Sequence, residues 1–176
     1  MSRARTALAA AEDALSALRN DLDAHREDLS LSTDRYGPSE ILRALRGTCI
    51  EVPSDGYNYK MCFVDRVVQQ QINGASETSL GYFAGVQEVD VNEVMPADGR
   101  GLGTGKRLAM KFENGQGCWH GPARRTLVVI GCAEKNEIWR VREEEKCVYR
   151  MEIGSPVGCE DGEGEKGGKA EARDEL

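Results

Sequence analysis

The spacing of apolar residues in the first 30 positions predicts one amphipathic helix. Leucines recur at every seventh position, and a second row of residues follows them at an offset of three positions. The two rows consist of Leu8, Ala11, Leu15, Leu18, Leu22, His25 and Leu29. This heptad pattern fits a helix lying on its own domain or a coiled coil with another helix, and we favour the coiled coil.

The apolar pattern changes from helical to extended after a Gly37-Pro38 break. From Cys49 onward, short segments rich in β-branched and aromatic residues are separated by Gly, Asn, Asp and Pro. The segments are CIEVP, YNYKMCFVDRVV, SLGYFAGVQEV, RLAMKFEN, RRTLVVIGC, EIWRVREE and KCVYRMEI. They predict roughly seven or eight short strands that form a β-sandwich or flattened barrel.

Two polar stretches break this pattern and complete the predicted organisation. The segment from Asp90 to Lys106 contains MPADGRGLGTG, whose glycine density predicts a mobile loop. No helix follows these glycines as a phosphate-binding loop requires, so we exclude nucleotide binding. The acidic, glycine-rich tail after Cys159 buries too little apolar surface to fold and is expected to be disordered. We therefore predict a helical segment over 1–35, a β domain over 46–160 and a disordered tail over 161–176.

Charge and hydropathy exclude two classes of partner. The formal net charge is -7, whereas a protein that binds nucleic acid needs a basic face. No apolar run approaches the roughly 20 residues that span a bilayer. The sequence thus predicts neither nucleic acid nor a membrane as a partner.

The cysteines are the most informative part of the composition. The chain has 6 cysteines, none of them before Cys49, and only 2 histidines. Because no two cysteines form a CxxC pair, we expect no metal site. An even number of cysteines in one β-rich segment predicts three disulfides but leaves their pairing open. Disulfides in turn predict an oxidising compartment.

The sequences at the two ends of the chain indicate which oxidising compartment contains the protein. The chain ends in RDEL, from Arg173 to Leu176, which differs only at its first position from the KDEL signal for retention in the endoplasmic reticulum. The N-terminus carries no secretory signal, because acidic residues interrupt it before an apolar core forms. We therefore expect a fragment of a longer protein of the endoplasmic reticulum lumen.

The sequence contains no pattern typical of a catalytic site. Neither histidine stands in a nucleophile motif, and paired cysteines offer no thiolate. The adjacent carboxylates Glu143, Glu144 and Glu145 are most simply a solvated face, although paired acids also serve glycoside hydrolysis. We expect no enzymatic activity from this chain, no catalytic residues and no cofactor.

Several polar residues stand at fixed offsets from the cysteines. Gln69 follows Cys62 by seven positions, while Glu143 and Tyr149 flank Cys147. With the string GCWHGPAR, this pattern resembles the mannose 6-phosphate receptor homology (MRH) domain, a lectin of the P-type kind. It is most similar to the form found in glucosidase II beta subunits. The matching stretches are YNYKMCFVDRVVQ, TSLG, MKFENGQGCWHGPARRT, VVIGC and EEEKCVYRMEIGSPVGC.

The resemblance implies a fold, a disulfide pairing and a binding site. The fold would be mainly β, a disulfide-linked flattened barrel or sandwich between the coiled-coil-like helix and the disordered acidic tail. The implied disulfides are Cys49–Cys62, Cys118–Cys147 and Cys132–Cys159. The implied mannose-binding residues are Gln69, Trp119, Arg124, Glu143 and Tyr149.

This set of side chains suits a neutral sugar. A glutamine amide both donates and accepts, an arginine donates to adjacent oxygens, a carboxylate accepts from hydroxyls and a phenol does either. Each residue also has a purely structural interpretation. Any of the three glutamines in QQQ is an equal choice, Arg124 and Glu143 suit a charged surface, and Trp119 and Tyr149 suit a core.

The function implied by the resemblance is that of a noncatalytic regulatory subunit. It would bind mannose of high-mannose N-glycans and promote glucose trimming by the catalytic alpha subunit of glucosidase II. One alternative is a lectin for glycoprotein quality control and degradation in the endoplasmic reticulum, but those proteins typically carry a double tryptophan. Here Tyr82-Phe83 stand where the family usually has tryptophan. Another alternative is a disulfide-stapled adaptor that binds no sugar and acts through its N-terminal helix.

Overall fold

The predicted N-terminal helix is present, and it runs from Ser2 to Ser30 (α1). The computed structural model describes residues 2–30, 33–74 and 76–159, so the predicted disordered tail over 161–176 with its RDEL ending lies outside the described residues. The seam leucines of α1 are exposed, Leu15 by 48% and Leu18 by 66%. Since such a seam is buried only against a second helix, the coiled coil stays a prediction. No helix within the described part of the chain is both long and apolar enough to cross a membrane.

The chain divides into two compact units, the first ending at Arg35 and the second starting at Tyr36. Short 3-10 turns lead into the second unit over Thr33–Tyr36, Pro38–Glu40 and Arg43–Leu45. Tyr36 and Leu42 are fully buried, and the Arg43 guanidinium lies 4.3 Å from the centroid of the Tyr36 ring. The hydrophobic core of the β unit therefore includes residues that precede its first strand.

Eight strands form one sheet in the second unit. Alternating apolar positions and the β-branched residues among them explain most of these strands. Their bounds are β1 Cys49–Ser54, β2 Tyr57–Cys62, β3 Arg66–Gln71, β4 Glu77–Asn92, β5 Thr104–Glu113, β6 Arg125–Cys132, β7 Glu137–Glu145 and β8 Val148–Ser155. A further 3-10 turn, Pro156–Gly158, follows β8.

The strand order makes the sheet nearly closed. Strands β1 to β6 form an antiparallel meander, and β8 then pairs in parallel with β6, with β7 beyond it. The two edge strands β1 and β7 contact each other, so the sheet curls into a flattened barrel. This arrangement, with the helix before it, confirms the predicted mainly β fold class.

Each face of the sheet carries its own apolar cluster. The inward face forms the main core, to which β8 contributes Tyr149, Met151 and Ile153. On the outer face a smaller cluster contains Leu102 and Val129, with Trp139 packed against it. The strands near β6 are thus covered on both sides.

The glycine-rich segment between β4 and β5 is packed, and the prediction of a mobile loop is wrong. Leu102 is only 1% exposed and belongs to the outer apolar cluster. Arg140 donates from Nη2 to the Arg100 carbonyl at 2.8 Å, and Arg107 donates from Nε to the Leu102 carbonyl at 2.8 Å. One buried leucine and two arginine hydrogen bonds therefore hold a segment whose glycines alone favour disorder.

Trp139 lies across two glycines of neighbouring strands. Gly131 of β6 and Gly154 of β8 stand opposite each other in the sheet. A Cβ placed on Gly154 would lie 2.4 Å from the Trp139 ring, and one on Gly131 would lie 2.6 Å from it. The indole ring therefore requires glycine at both positions.

We expect the substitution Gly154→Ala to destabilise the fold by about 1–3 kcal/mol, because the added methyl group collides with a packed ring. Urea unfolding followed by Trp fluorescence measures the loss. Gly117→Ala is the matched control, since a Cβ there meets nothing within 4 Å. Equal stability of the two variants would contradict this account of the Trp139 packing.

Candidate functional site

A polar cavity of about 450 Å³ opens at one end of the barrel. Strands β2, β3, β7 and β8 contribute to its wall, together with the turns next to them. It contains four of the five residues expected in a sugar site: Gln69, Arg124, Glu143 and Tyr149. Residues far apart in the sequence are thus gathered around one space.

Gln69 is the glutamine of the QQQ run that reaches the cavity. In β3 the side chain of Gln70 points to the opposite face from that of Gln69. Gln70 and Gln71 both line a separate surface groove. The Gln69 Oε1 atom is buried and has no hydrogen-bond partner among the described residues. A buried amide oxygen without a partner is costly, so this atom is a strong acceptor facing a polar space.

Arg124 is fixed by its own loop. It lies just before β6, and its Nη1 donates to the carbonyls of Gln116 at 3.2 Å and Gly117 at 2.9 Å. Its Nε is buried and has no hydrogen-bond partner in the part of the chain that the structure describes. The neighbouring Arg125 is exposed and does not line the cavity. The guanidinium is therefore anchored at one end while another of its donors is unused.

Glu143 is held by a backbone hydrogen bond. Its Oε1 accepts from the Cys147 N–H at 2.7 Å across the turn between β7 and β8. This bond fixes one carboxylate oxygen, and the carboxylate also forms a side-chain hydrogen bond with the Tyr149 hydroxyl. The next residue, Glu144, instead has a carboxylate oxygen 3.8 Å from Arg150 Nε. Of the three adjacent glutamates, Glu143 is the one in the cavity wall.

Tyr149 stands opposite Glu143 in the β7–β8 pair and is only 6% exposed. Burial raises the pKa of its hydroxyl, an effect that a hydrogen bond from Arg124 opposes. Burial likewise raises the pKa of Tyr59 to about 12, and the nearby Tyr149 adds to this shift. Both phenols are consequently neutral at physiological pH and able to donate as well as accept.

Trp119 is not brought to the cavity lining. Its side chain is 82% exposed, and its ring lies edge-on to that of His120 with 4.7 Å between centroids. The preceding Cys118 does line the cavity. Trp119 thus lies on the surface just beyond the cavity wall, and its contact with a sugar stays a prediction.

Several cavity residues were missed by the sequence analysis. Tyr57 and Tyr59 line the cavity from β2, and Asp55 and Lys146 line it from the turns beside β1 and β7. The strand register explains the tyrosines, because Tyr59 lies directly opposite Gln69. The available signal was that the two tyrosines are two positions apart in the segment before Cys62, which puts both on one face of a strand. That this face lines the cavity is known only from the pairing of β2 with β3.

The structure joins the cysteines as Cys49–Cys62, Cys118–Cys147 and Cys132–Cys159. These are the pairs that the resemblance implied. Cys118 and Cys147 are themselves part of the cavity wall. Their bond connects the loop of Arg124 with the turn that binds Glu143. The geometry of the polar groups therefore depends on this covalent link.

The cavity can hold a neutral, hydroxyl-rich molecule. It offers an unused amide acceptor, an unused guanidinium donor, a carboxylate and neutral phenols, which complement vicinal hydroxyls. Within the described residues, no group of three or more His, Cys, Asp or Glu side chains is placed to hold a metal ion.

The fold and the cysteine framework define a disulfide-linked β domain that forms a flattened barrel. A family model described as glucosidase II beta subunit-like protein matches residues 4–170. The chain therefore belongs to the glucosidase II beta subunit-like family.

Curated relatives share this assignment. Glucosidase 2 subunit beta of Mycosarcoma maydis is 31% identical over 159 residues, which are 90% of this chain and 26% of that protein. The Homo sapiens subunit is 32% identical over 124 residues, 70% of this chain and 21% of that protein. The Schizosaccharomyces pombe subunit is 34% identical over 120 residues, 68% of this chain and 19% of that protein. The chain thus spans about a quarter or less of the length of these relatives.

Two solved structures are similar to part of this chain. The MRH domain of glucosidase II beta, in a crystal structure bound to mannose, is 32% identical and covers 67% of this chain and 99% of its own, with a TM-score of 0.48. The MRH domain of Yos9, in complex with alpha3,alpha6-Man5, is 18% identical and covers 68% of this chain and 81% of its own, with a TM-score of 0.49.

The raised tyrosine pKa values predict the alkaline behaviour of the domain. Because the folded-state pKa of Tyr59 exceeds its unfolded value of 10.0, its neutral form stabilises the fold fully below pH 10. That contribution is lost as the pH rises from 10 to about 12. In a tyrosinate absorbance titration of the 5 tyrosines, we expect Tyr59→Phe to remove a step near pH 12. Tyr82→Phe, an exposed control, should leave that step intact. Loss of an early step in the Tyr59 variant would contradict the assignment.

Proposed function

We propose that this chain is the sugar-binding part of a noncatalytic glucosidase II beta subunit. It binds mannose of high-mannose N-glycans and thereby promotes removal of glucose by the catalytic alpha subunit in the lumen of the endoplasmic reticulum. Membership of the beta subunit-like family supports the assignment to this enzyme complex. The sugar-binding role has its own physical support in the cavity.

One observation carries the sugar-binding role. Gln69 Oε1 and Arg124 Nε are both buried without a partner within residues 2–30, 33–74 and 76–159, and both belong to side chains of the same cavity. A ligand that donates to the amide oxygen and accepts from the guanidinium would relieve both costs. A pair of adjacent hydroxyls does this without adding charge. Glu143 and Tyr149 extend the polar wall on the side formed by β7 and β8.

Selectivity for mannose follows from the cost of leaving buried polar groups without hydrogen-bond partners. A site whose polar groups are largely buried discriminates strongly against a ligand that leaves one of them unpaired. A hexose with a hydroxyl of the other configuration would therefore bind more weakly. We infer that the cavity distinguishes mannose from its epimers by this loss of hydrogen bonds.

A lectin for degradation of glycoproteins remains the second candidate within the same fold. The surface position of Trp119 and the Tyr82-Phe83 pair speak against a double-tryptophan site of the degradation lectins. The adaptor hypothesis draws support from the exposed leucines of α1. It differs from the lectin hypotheses by predicting that no sugar binds.

Arg124→Met tests the proposed site. We expect the variant to bind methyl α-mannoside about 10- to 100-fold more weakly than the wild type, because it loses a charge-assisted hydrogen bond of roughly 1.5–3 kcal/mol. Isothermal titration calorimetry measures the affinity, and near-ultraviolet circular dichroism checks the fold. Arg125→Met is the matched control, since Arg125 is exposed and outside the cavity.

Failure of the wild-type chain to bind any mannoside would reject both lectin hypotheses and leave the adaptor. Equal affinities of the Arg124 variant and the wild type would place the sugar site elsewhere. An activity assay of the catalytic alpha subunit distinguishes the two lectin hypotheses. Trimming of glucosylated high-mannose glycans by that subunit should rise when the wild-type beta subunit is present and fall to the lectin-free rate with the Arg124 variant.

The Cys118–Cys147 disulfide provides a second test. We expect Cys118→Ser/Cys147→Ser to lower affinity for methyl α-mannoside at least about tenfold, because the loop of Arg124 loses its link to the turn that holds Glu143. Cys49→Ser/Cys62→Ser is the matched control. That disulfide lies at the open end of the β1–β2 hairpin, remote from the hairpin turn that lines the cavity. Both variants should lose roughly 2–4 kcal/mol of stability, so a comparable loss of affinity in the two would show that the effect on binding is general.

A further inference from the structure

Strands β4 and β5 extend beyond the strands on either side of them. The pairing of β3 with β4 ends at Tyr82, and β6 pairs with β5 only from Ala109 to Phe112. The pairing of β4 with β5 continues as far as Asn92. Residues 85–92 and 104–108 therefore form a two-stranded arm with an edge on each side. An edge strand presents unpaired backbone N–H and C=O groups that can bind another strand.

The alternation of bonds in an antiparallel pair shows which residues of β4 face the open edge. Glu93 N donates to the Gly103 carbonyl at 3.0 Å, so these two opposite residues form a hydrogen-bonded pair. Hydrogen-bonded and non-hydrogen-bonded pairs alternate along such a ladder. The backbone groups of Glu88, Asp90 and Asn92 therefore point away from β5. Within the part of the chain that the structure describes, no other strand or loop forms a backbone hydrogen bond with them.

The opposite edge of the arm, on β5, is already occupied by an arginine side chain. Arg107 Nη1 donates to the Lys106 carbonyl at 2.9 Å, and its Nη2 donates to the Thr104 carbonyl at 3.3 Å. Both carbonyls point away from β4, as the alternation requires. A strand that paired with β5 would have to displace this guanidinium. The edge of β4 is therefore the more accessible of the two.

The open edge belongs to a well-packed part of the molecule. Val91 is 6% exposed and packs with Leu102 in the outer apolar cluster. At the tip of the arm, Glu93 Oε1 lies 3.7 Å from Arg150 Nη2. These contacts hold β4 extended before a partner arrives, so less conformational entropy is lost when a strand pairs with it.

The side chains along this edge determine which partner fits. Glu88 and Asp90 are exposed and stand two positions apart, so both lie on one face of β4. Lys106 lies opposite Asp90, and its Nζ is 3.3 Å from Glu88 Oε2. One ammonium group thus faces two carboxylates, and the edge keeps a negative charge. A second copy of this chain, paired in antiparallel register around Asp90, would place like charges opposite each other, which destabilises a strand pair.

We propose that the edge of β4 from Glu88 to Asn92 binds an extended basic segment of another polypeptide as an added strand. The outward backbone groups of Glu88, Asp90 and Asn92 supply the main-chain hydrogen bonds, as in other cases of strand addition. The two carboxylates bind lysine or arginine side chains of the added strand. None of these residues lines the sugar cavity, so the inference is independent of the proposed mannose binding.

A labelled heptapeptide of alternating lysine and valine tests the proposal on the full chain by fluorescence anisotropy. Lysines opposite Glu88 and Asp90 would also use their own backbone groups for pairing, because the two residues of a hydrogen-bonded pair exchange both bonds. Methylation of the lysine backbone nitrogens should weaken binding at least about tenfold, and methylation of the valine nitrogens should change it less than about twofold. A peptide of alternating glutamate and valine should bind more weakly than the lysine peptide, since its charges repel those of the edge.

Amide hydrogen exchange locates the bound peptide. In the free chain, the N–H groups of Glu88, Asp90 and Asn92 should exchange faster than those of Val89 and Val91, which point toward β5. A saturating amount of the lysine peptide should slow the first three at least about tenfold and leave the two valines within about twofold of their free rates.

Charge variants test the choice of partner. Glu88→Gln/Asp90→Asn should weaken binding of the lysine peptide about three- to tenfold, because two exposed ion pairs are lost. Glu77→Gln/Glu113→Gln is the matched control, since both residues are exposed at the other end of the β4–β5 hairpin. It should bind like the wild type. Equal losses in the two variants would show a general attraction to an acidic protein and overturn the site.

Three further outcomes would also overturn the proposal. The first is no binding of the lysine peptide, or slowed exchange at a different strand. The second is equal affinity for the two methylated peptides, because the peptide would then be bound by charge without strand pairing. The third is a dimer of the free chain, measured by sedimentation, in which exchange at Glu88, Asp90 and Asn92 is already slow. In that case a second copy of the chain occupies the edge.

Discussion

The polar cavity depends on a single junction between two turns. The Cys118–Cys147 disulfide joins the loop before β6 to the turn before β8. In the second turn, the Cys147 N–H donates to Glu143 and the Cys147 carbonyl accepts from Arg125 N at 3.1 Å. The side chain of Arg124 is tied to its own loop by two backbone carbonyls. Separation of the turns would therefore move the guanidinium away from the carboxylate, although neither residue would lose its own anchor.

By holding the cavity wall in place, this junction allows buried polar groups to stay without hydrogen-bond partners in the absence of a ligand. An amide oxygen and a guanidinium N–H that are buried without partners cost free energy, and a flexible wall would relax until they found a partner. The disulfide and the backbone hydrogen bonds restrict that relaxation. A ligand then meets groups that are already oriented, so less of its binding free energy is spent on ordering side chains. Burial in the same wall also keeps the two phenols neutral, because it disfavours their charged forms.

The sequence predicted local features well and contacts between distant segments poorly. Alternating apolar residues located the strands, and the heptad leucines located α1, because both signals lie within a few neighbouring positions. Membership of Tyr59 in the cavity was missed because it depends on the register with Gln69. The prediction of a mobile loop between β4 and β5 failed for the same reason. Its glycines are visible in the sequence, whereas the pocket that buries Leu102 is built by other strands.

The parallel pairing of β6 with β8 explains why the site residues meet at all. In this register Arg125 lies opposite Val148 and Thr126 opposite Tyr149, so Arg124 enters β6 beside the start of β8. The pairing of β8 with β7 then places Glu143 opposite Tyr149. A slip of one residue would turn Tyr149 outward and Arg150 into the apolar core, which would cost the free energy of burying a charged guanidinium. The burial pattern of β8 thus fixes the register. The register in turn brings together a carboxylate from β7, a phenol from β8 and the guanidinium of the residue just before β6. The same hydrophobic residues that stabilise the barrel therefore also determine its binding chemistry.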